Sequence, residues 1–555
     1  MISSTIAKAF SCTAVLSCMQ AAYAIPQTHP NITLNDWNLL PPSPNLRWTP
    51  CFENYTCARL QVPLDYGAPS RGHTSIAFIK LPAMNVTKDT KSLLINPGGP
   101  GGSGIEVVLS QGPGLTNIVQ GQHNIVAFDP RGVGRSGPVV DCWPENPEGR
   151  AQFESLYYRE ISNASSTALG TQFAAAEIFG KACTPTVGGS NGFAAFVSTP
   201  AVARDMLSYV EAERAETGKN ETELWYYGLS YGTVLGATFA HLFPEHVGRM
   251  VLDGVVDPED YYNLGWRSNL YDADRALDAF IQFCFDAGRR SCPFWGPSVQ
   301  NISARMDSLV EGLKYNPIAI PAGDACPLPM LATYSDLKQL ILQAVYNPLE
   351  GFPNLAEVLS SLEHGDTTAY AAAVVNAGIP ANPCNHAIDG DASTSTRDIN
   401  TLIRCVDGSR GQNFTDISEF EEYVDMLTSQ SEFFGDVWPN NANGVACRAL
   451  EVSLPASGMI ESSILDTRHT ANPILFATAE VDPVSPKRGA HKMSAVFPGS
   501  VVLTQNSVGH TAFISASTCF LQRIQDYLLH GRLPPVNTTC QPDVVPFQST
   551  TDAGL

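Results

Sequence analysis

One serine stands in a context that suits nucleophilic attack on a carbonyl carbon. Ser230 is the centre of GLSYG (228–232), a G-x-S-x-G motif that follows the apolar run 223–227 and precedes a stretch of helical composition at 233–243. Strand, sharp turn and helix in this order form a nucleophile elbow, in which glycines beside the serine leave room for a strained turn. The motif alone is common by chance, so the flanking elements carry the prediction that Ser230 is a nucleophile.

A serine hydroxyl needs a general base, and the base needs a carboxylate to orient it. Asp482 follows the apolar run ILFATAEV and His510 follows SVVLTQNSVG, so each lies just beyond a predicted strand. The carboxyl ends of parallel strands are where open α/β sheets place their ligands and catalytic groups. We therefore predict that these two residues complete a catalytic triad. His491 also follows the aspartate, but it falls in a helical stretch where a surface role is favoured.

Acyl transfer also needs N–H groups aimed at the oxyanion that develops on the carbonyl. The loop PGGPGGSG (97–104) follows a predicted strand, and we expect one donor from Gly98 or Gly99 and the other from Tyr231. The same glycines match G-x-G-x-x-G, a dinucleotide fingerprint. That alternative is disfavoured because the next acidic residue after a strand, Asp129, opens a Pro-Arg-Gly loop, and because it leaves the predicted triad unexplained.

Short apolar runs that do not alternate with polar residues place these motifs on a common scaffold. The predicted strands are 58–64, 74–81, 91–96, 124–128, 223–227, 249–252, 474–477 and 500–504. We also predict a helix from Pro200 to Glu216, with Thr199 as its N-cap and the proline at its first position. Strands of this kind, separated by helical stretches, indicate a parallel sheet covered on both faces.

The order of these elements predicts one discontinuous core, although 555 residues would suffice for several domains. Residues 25–257 form the first part of this core, with a disulfide-tied excursion at 141–198. Residues 258–467 are helix-prone and form a cap or lid. Residues 468–555 complete the core and carry the aspartate and histidine of the predicted triad.

The N-terminus and the cysteines predict a secreted protein. Residues 1–24 contain Lys8 and an apolar stretch, and they end in Ala-Tyr-Ala, which is typical of a signal peptide cleaved after Ala24. No later run of 18 apolar residues occurs, so no membrane span or lipid anchor is expected. Of the 14 cysteines, 12 remain after cleavage, an even number that predicts six disulfides.

Proximity in the sequence suggests four of these pairs, which are Cys51–Cys57, Cys142–Cys183, Cys284–Cys292 and Cys519–Cys540. The sequence does not show how the remaining four pair, which are Cys326, Cys384, Cys405 and Cys447. Eight N-x-S/T sequons favour a glycoprotein, and they lie at Asn31, Asn54, Asn85, Asn163, Asn220, Asn301, Asn413 and Asn537.

The charge balance excludes one class of partner. The chain has 33 Lys and Arg against 54 Asp and Glu, a net charge of -21. A nucleic-acid binder needs basic surface to neutralise phosphates, so this class is disfavoured. The cysteine spacings do not resemble zinc knuckles and no H-E-x-x-H motif occurs, so no metal site is expected. The sequence does not predict the oligomeric state.

Several segments resemble one known family. They are INPGGPGGSG (95–104), FDPRGVGRSGP (128–138), YYGLSYGTVLGATFAHLFPEHVGRMVLDGVVDP (226–258), DPVSPKRGAHKM (482–493) and VLTQNSVGHTAF (502–513). With the tail around Cys519 and Cys540, they resemble the secreted tripeptidyl-aminopeptidase-like branch of the α/β-hydrolases, relatives of prolyl aminopeptidases. The likeness runs over about residues 45–545, and it is specific at the motifs and vague in the insertions.

The resemblance implies an α/β-hydrolase fold, with a mostly parallel central sheet, helices on both faces and a large, mainly helical cap insertion. It makes Ser230 the nucleophile, Asp482 the orienting carboxylate and His510 the base, and it places Gly98 or Gly99 at the oxyanion loop. It implies no cofactor, and it implies a peptide substrate cleaved near a free N-terminus.

Charged residues outside the triad fall into two groups. An exopeptidase needs carboxylates that hold a substrate ammonium, and an acidic cluster at the expected cap entrance comprises Asp257, Glu259, Asp260, Asp272 and Asp274. We predict Glu259 and Asp260 as substrate-binding residues, although a solvated acidic face explains the cluster more simply. Asp129 and Arg131 are interpreted as an ion pair that ties a loop.

Two other functions compete with an aminopeptidase. The same triad hydrolyses esters, lactones and non-peptide amides, and the fold does not decide between these substrates. A secreted binding glycoprotein on a hydrolase scaffold is the alternative without catalysis. Such proteins usually lack the nucleophile, whereas all three predicted triad residues are present here.

Overall fold

The computed structural model describes residues 36–189, 192–218, 223–324, 327–379, 396–411, 414–442 and 444–548. The predicted signal peptide at 1–24 lies outside these described residues. So do Cys326, Cys384 and three of the predicted glycosylation sites, which are Asn31, Asn220 and Asn413.

Ten strands of the described chain form one sheet in the order β1-β2-β3-β5-β4-β6-β7-β10-β11-β12. The strands are β1 Thr49–Cys51, β2 Tyr55–Pro63, β3 His73–Leu81, β4 Ser92–Asn96, β5 Asn124–Phe128, β6 Leu224–Leu229, β7 Val247–Asp253, β8 Ile318–Ile320, β9 Met330–Ala332, β10 Leu475–Val481, β11 Val501–Val508 and β12 Thr539–Cys540. The first three strands join the sheet antiparallel, and all pairings from β5 to β12 are parallel. Strands β8 and β9 form a separate antiparallel pair. The predicted mostly parallel sheet is confirmed.

Helices cover the sheet and fill the connections between strands. Their bounds are Gly104–Leu115, Pro147–Tyr157, Ala168–Thr186, Thr199–Thr217, Tyr231–Leu242, Pro258–Tyr262, Ala273–Ser291, Val299–Tyr315, Tyr334–Tyr346, Pro348–Glu363, Thr368–Asn376, Thr396–Asp407, Ile417–Gln430, Trp438–Ala442, Arg488–Val496 and Thr518–His530. No helix of the described ranges is both long and apolar enough to cross a membrane.

The central strands are apolar throughout because both faces of the sheet are buried. In β4, Leu94 packs with the helices Thr199–Thr217 and Tyr231–Leu242 on one face. Its neighbours Leu93 and Ile95 belong to the core of the opposite face, with helix Gly104–Leu115. The alternation of side chains along a strand therefore supplies two cores from one continuous apolar run.

Two long connections leave this sheet and pack together. We call the residues between β7 and β10 the insertion, and residues 141–198 the excursion. A third and larger apolar core joins Phe153 and Phe179 of the excursion to Phe280 and Leu359 of the insertion. The ion pair between Arg150 of the excursion and Asp398 of the insertion, with an N–O distance of 2.8 Å, adds to this contact.

Five disulfides are present in the described chain. Four are the predicted pairs Cys51–Cys57, Cys142–Cys183, Cys284–Cys292 and Cys519–Cys540, which are therefore confirmed. The fifth joins Cys405 to Cys447 within the insertion, a pairing that the sequence left open. Among the predicted glycosylation sites in the described ranges, Asn54, Asn85, Asn163 and Asn537 are exposed, whereas Asn301 is half-buried in the first turn of a helix.

Two local predictions are wrong. Ser198, not Thr199, is the N-cap of helix Thr199–Thr217, and its side chain makes no capping hydrogen bond. The threonine is the first helical residue, because the Asp407 carboxylate of the insertion accepts its N–H at 2.7 Å and takes over the capping. A partner 208 residues away is not visible in the local sequence.

The predicted ion pair between Asp129 and Arg131 is also wrong. Arg131 is fully buried and donates two hydrogen bonds to Asp205, at 2.6 and 2.7 Å. Asp129 instead accepts the Ser103 hydroxyl at 2.6 Å and the N–H of Ile105, so it holds the start of helix Gly104–Leu115. Both side chains have structural roles, but they bind different partners.

Candidate active site

Ser230 stands on a strained turn between β6 and the helix Tyr231–Leu242. Its backbone has φ 55° and ψ -125°, a conformation that is rare for a residue with a side chain. Gly232 is required because a Cβ there would lie 2.7 Å from the Asn96 carbonyl oxygen. The serine N–H donates to the Asp253 carbonyl at 3.0 Å, which fixes the turn to the end of β7. This is the geometry of the predicted nucleophile elbow.

Asp482 and His510 meet at the ends of β10 and β11. The distances from His510 Nδ1 to the two Asp482 carboxylate oxygens are 3.1 and 3.2 Å. Ser485 Oγ lies 3.1 Å from the same ring nitrogen. A proton on Nδ1 that faces the carboxylate leaves Nε2 free to act as a base. The rival His491 is exposed on helix Arg488–Val496, as the sequence predicted.

The Asp482 carboxylate is fully buried and remains ionised because of its partners. Burial by itself raises its pKa, but the charge and hydrogen bond of His510 and the N–H groups of Thr511 and Ser485 outweigh burial and lower it. The Thr511 N–H donates to one carboxylate oxygen at 2.9 Å and the Ser485 N–H to the other at 2.7 Å. The carboxylate is thus held in one orientation toward the imidazole.

Asp253, at the end of β7, joins the serine turn to the histidine loop. Its carbonyl accepts the Ser230 N–H, while its carboxylate accepts the N–H groups of Ala512 and Phe513 at 2.7 and 3.0 Å. The Tyr227 hydroxyl donates to it at 3.2 Å. Burial raises the pKa of Asp253 to about 6. This residue was not among the predicted site residues, although it is an aspartate directly after the apolar run RMVL, as expected for a group at a strand end.

No hydrogen bond joins Ser230 to the His510 ring within the described residues. In the described chain, the imidazole contacts Asp482, Ser485 and the ring of Tyr346. Asp253 bonds both to the serine turn and to the residues just after the histidine, and it therefore brings the two candidate groups to one edge of the sheet.

The glycine loop lies directly against the elbow. A Cβ on Gly98, whose φ is 92°, would lie 2.4 Å from the Leu229 carbonyl oxygen and 2.9 Å from Tyr231 N. The Gly98 N–H is already used, because it donates to Asn96 Oδ1 at 3.0 Å. In the part of the chain that is described, the N–H groups of Gly99 and Tyr231 have no hydrogen-bond partner. This favours Gly99 over Gly98 as the loop's oxyanion donor.

The insertion reaches the site from above the sheet edge. The His510 N–H donates to the Tyr346 carbonyl at 2.8 Å, and the two rings form an edge-on contact with centroids 5.1 Å apart. Arg404 donates to the Gly99 carbonyl at 3.2 Å and lies over the ring of Trp266, 4.3 Å from its centroid. No motif or spacing in the sequence predicts these contacts.

The predicted substrate carboxylates already have partners inside the protein. Glu259 and Asp257 both bind Lys492, with N–O distances of 2.8 and 2.6 Å. Asp260 accepts the N–H groups of Arg267 and Ser268 at 2.7 and 2.9 Å. The remaining two acidic residues of the cluster are also engaged, Asp272 with Arg275 and Asp274 with the Ser431 hydroxyl and the Glu432 N–H.

Comparison with known proteins agrees with this description. Residues 91–311 match the family described as alpha/beta hydrolase fold, and residues 431–540 match the family described as TAP-like protein. Serine protease Hip1 of Mycobacterium tuberculosis is 28% identical over 527 residues, which cover 89% of this chain and 91% of that protein. Tripeptidyl aminopeptidase of Streptomyces lividans is 26% identical over 519 residues, with 92% and 86% covered.

The chain is also similar to an esterase and to a solved serine hydrolase. Carboxylesterase B of Mycobacterium tuberculosis is 25% identical over 527 residues, with 90% of this chain and 91% of the relative covered. A solved serine hydrolase from Cycloclasticus zankles has 12% identity and a TM-score of 0.36, with 85% of this chain and 98% of that chain covered.

The sheet topology and the match over residues 91–311 show the α/β-hydrolase fold, and similarity to a serine protease and a tripeptidyl aminopeptidase over most of the chain indicates a serine hydrolase. Within that class, the TAP-like match and the two peptidase relatives show that the chain resembles the tripeptidyl-aminopeptidase-like branch.

Proposed function

We propose that the protein is a secreted serine aminopeptidase that releases short peptides or single residues from free N-termini. The observation that carries the proposal is the buried Asp482 carboxylate bonded to His510 Nδ1, at the same sheet edge as the serine on its strained elbow. Relatives named serine protease and tripeptidyl aminopeptidase support a peptide as the substrate.

In the proposed reaction Ser230 Oγ attacks the scissile carbonyl carbon while His510 Nε2 accepts its proton. Asp482 stabilises the imidazolium that forms. The Tyr231 and Gly99 N–H groups donate to the oxyanion of the tetrahedral intermediate. The intermediate collapses as the histidine gives its proton to the leaving amine, and water then releases the acyl group by the same steps in reverse. Catalytic hydrogen bonds are often long in the free enzyme and tighten with substrate, so contact between serine and histidine belongs to the bound state.

The substrate ammonium is expected to bind carboxylates of the acidic cluster. Binding by Glu259 or Asp260 stays a prediction. It requires the substrate to compete with Lys492 for the first carboxylate and with backbone N–H groups for the second.

An esterase is the second candidate function. Carboxylesterase B covers as much of this chain as the peptidase relatives do, and it is similarly distant in sequence. The same acyl-enzyme chemistry serves both substrates. Secretion is part of the proposal in either case, since five disulfides in the described residues suit an oxidising compartment.

Two measurements test the proposal. A fluorophosphonate probe should label the wild-type protein and should not label Ser230→Ala, whereas Ser198→Ala, which removes a fully buried hydroxyl, should label normally. Chromogenic tripeptides with free N-termini should be cleaved faster than their N-acylated forms. Turnover of short esters without peptide cleavage would favour the esterase, and a wild-type protein that does not label would favour a non-catalytic binding glycoprotein.

A further inference from the structure

One helix of the insertion contacts both segments that carry the candidate oxyanion donors. At its N-terminal half, the helix Thr396–Asp407 lies on the glycine loop. Asn400 Nδ2 donates to the Pro100 carbonyl at 2.6 Å. A Cβ on Gly101 would lie 3.1 Å from the Asn400 backbone nitrogen, so the loop and the helix are in direct contact.

Arg404, one turn further along the helix, holds the adjacent carbonyl of the same loop. One guanidinium nitrogen donates to the Gly99 carbonyl at 3.2 Å, and the other donates to the Ala442 carbonyl at 3.1 Å and to the Asn441 carbonyl. The guanidinium therefore connects the glycine loop to the end of the insertion helix Trp438–Ala442. The disulfide between Cys405 and Cys447 fixes the helix Thr396–Asp407 to the same part of the insertion.

The C-terminal end of the helix reaches the other donor segment through Thr199. The Asp407 carboxylate accepts the Thr199 N–H at 2.7 Å and its hydroxyl at 2.5 Å. Because the threonine proton goes to the carboxylate, the Tyr231 hydroxyl donates to the threonine oxygen in a short hydrogen bond. Tyr231 directly follows the candidate nucleophile, and its N–H has no partner among the described residues.

Aromatic rings connect the two ends of this arrangement. Arg404 lies over Trp266, which contacts Tyr261 edge-on with centroids 5.4 Å apart. Tyr261 in turn packs on Tyr231 at 5.5 Å and donates its hydroxyl to Asp407 at 2.8 Å. The loop, the helix and the elbow therefore form one continuous packed unit.

The glycine loop needs such outside support. Gly98, Gly99 and Gly101 all have positive φ values, between 88° and 114°, and glycines in that region restrict the backbone little by themselves. An oxyanion donor acts only when it is held close to its productive position. The hydrogen bonds from Asn400 and Arg404 fix the two carbonyls that follow the Gly99 N–H.

We propose that the insertion helix Thr396–Asp407 positions both donors of the oxyanion hole. Asn400 and Arg404 are positioning residues for the Gly99 N–H, and Asp407 acts through Thr199 as a positioning residue for the Tyr231 N–H. This inference rests on the proposed acyl-enzyme function, but it does not depend on whether the substrate is a peptide or an ester, because both use the same oxyanion hole.

Two mild substitutions with matched controls test the inference. Asn400→Ala removes the donor to the Pro100 carbonyl, and Asn472→Ala removes an equally half-buried asparagine that donates to the Val247 carbonyl at 3.0 Å, far from the loop. Thr199→Val removes the hydroxyl between Asp407 and Tyr231. Thr90→Val is its control, because it removes a buried threonine hydroxyl that accepts the Thr87 N–H at 2.8 Å in the loop before β4.

The readouts are kcat, KM and the inhibition constant of a peptide aldehyde, whose hemiacetal oxygen occupies the oxyanion hole. Asn400→Ala and Thr199→Val should lower kcat about 10- to 100-fold with KM changed less than about twofold. Aldehyde affinity should fall by the same factor as kcat/KM, because both report the transition state. The two control variants should stay within about twofold of wild type.

Thermal unfolding of each variant separates misplacement of the donors from loss of the fold. A kcat that stays at the wild-type value in both test variants overturns the inference, as does a loss that appears in KM alone.

Arg404→Met provides a further check, because the guanidinium could instead bind a substrate carboxylate. A defect of this variant that is confined to KM for acidic substrates would also overturn positioning. Failure of the aminopeptidase proposal looks different, because wild type would then turn over esters and not peptides.

Discussion

The strand ends of the core and the insertion that covers them contribute to the site in different ways. The core supplies the groups predicted to react, Ser230, Asp482 and His510, and each lies within two residues of the end of a strand. The insertion supplies groups such as Arg404 and Asp407, which bond to the backbone or side chains that surround the reacting groups. The reacting side chains are therefore held by the strand ends of the sheet. The backbone and side chains around them are held by the insertion, in which the sequence shows no catalytic motif.

The largest effect is expected at the core. Asp482→Asn should lower kcat about 10⁴-fold, because the amide favours the wrong tautomer of His510. Steady-state kinetics on the best tripeptide or ester substrate measures the loss, with Asp466→Asn, a half-exposed aspartate, as the control. A variant that keeps a tenth of the wild-type kcat would contradict the proposed triad and would weaken the distinction between the two regions.

The next effect is expected at Asp253, which belongs to the core but does not react. In Asp253→Asn the Ala512 and Phe513 N–H groups face an amide that can accept only at its single oxygen, so one hydrogen bond is lost. We expect kcat to fall about 10²-fold through displacement of the histidine loop, and stability to fall by about 1–3 kcal/mol. Kinetics and urea unfolding measure the two losses. Reduced stability with an unchanged kcat would show that the histidine loop keeps its catalytic position without the Asp253 carboxylate.

The third prediction concerns the insertion and uses the pH dependence of the unfolding free energy to test the buried carboxyl of Asp407. Burial raises the pKa of Asp407 to about 6. The folded protein therefore holds this proton more tightly than the unfolded chain, whose carboxyl has a pKa of about 3.9. The resulting stability is present below about pH 4 and is lost as pH rises through about 6, by up to about 3 kcal/mol.

Unfolding free energies of wild type and Asp407→Asn across pH 4 to 7 measure the stability that protonation of Asp407 contributes. The variant should show a shallower decline, because its amide does not titrate. Asp416→Asn is a control of opposite sign, because hydrogen bonds from Ser418 and the Glu419 N–H lower the pKa of this exposed aspartate. Parallel curves for wild type and Asp407→Asn would argue against a buried carboxyl at this contact between insertion and core.

The smallest effect is expected at the acidic cluster. Glu259 is half-exposed and shares Lys492 with Asp257, so Glu259→Gln should change thermal stability very little. If this carboxylate binds a substrate ammonium, KM for free tripeptides rises several-fold and KM for N-acylated ones does not. Equal KM values for wild type and variant would remove Glu259 from the substrate site.

Much of the core was predictable because its signals are local. The strands β4, β5 and β6 lie within two residues of their predicted bounds, and the elbow follows directly from Gly228, Ser230 and Gly232. Four disulfides followed from the proximity of cysteines along the chain, with separations of 6, 41, 8 and 21 residues. The errors arose where a long-range partner replaced a local one, as when Asp407 caps the helix that begins at Thr199 and when Arg131 pairs with Asp205.

The class of chemistry was predictable from the residues alone, since a serine elbow and a later aspartate and histidine, each after an apolar strand, meet at one edge of a parallel sheet. Three features required the folded structure: the glycine N–H that has no partner in the described chain, the residues around the imidazole, and the helix that lies on the oxyanion loop. Arg404 and the Gly99 carbonyl are 305 residues apart, and Asp407 and Thr199 are 208 apart. Contacts of that length depend on how the insertion packs on the core, and they leave no periodicity or spacing in the chain.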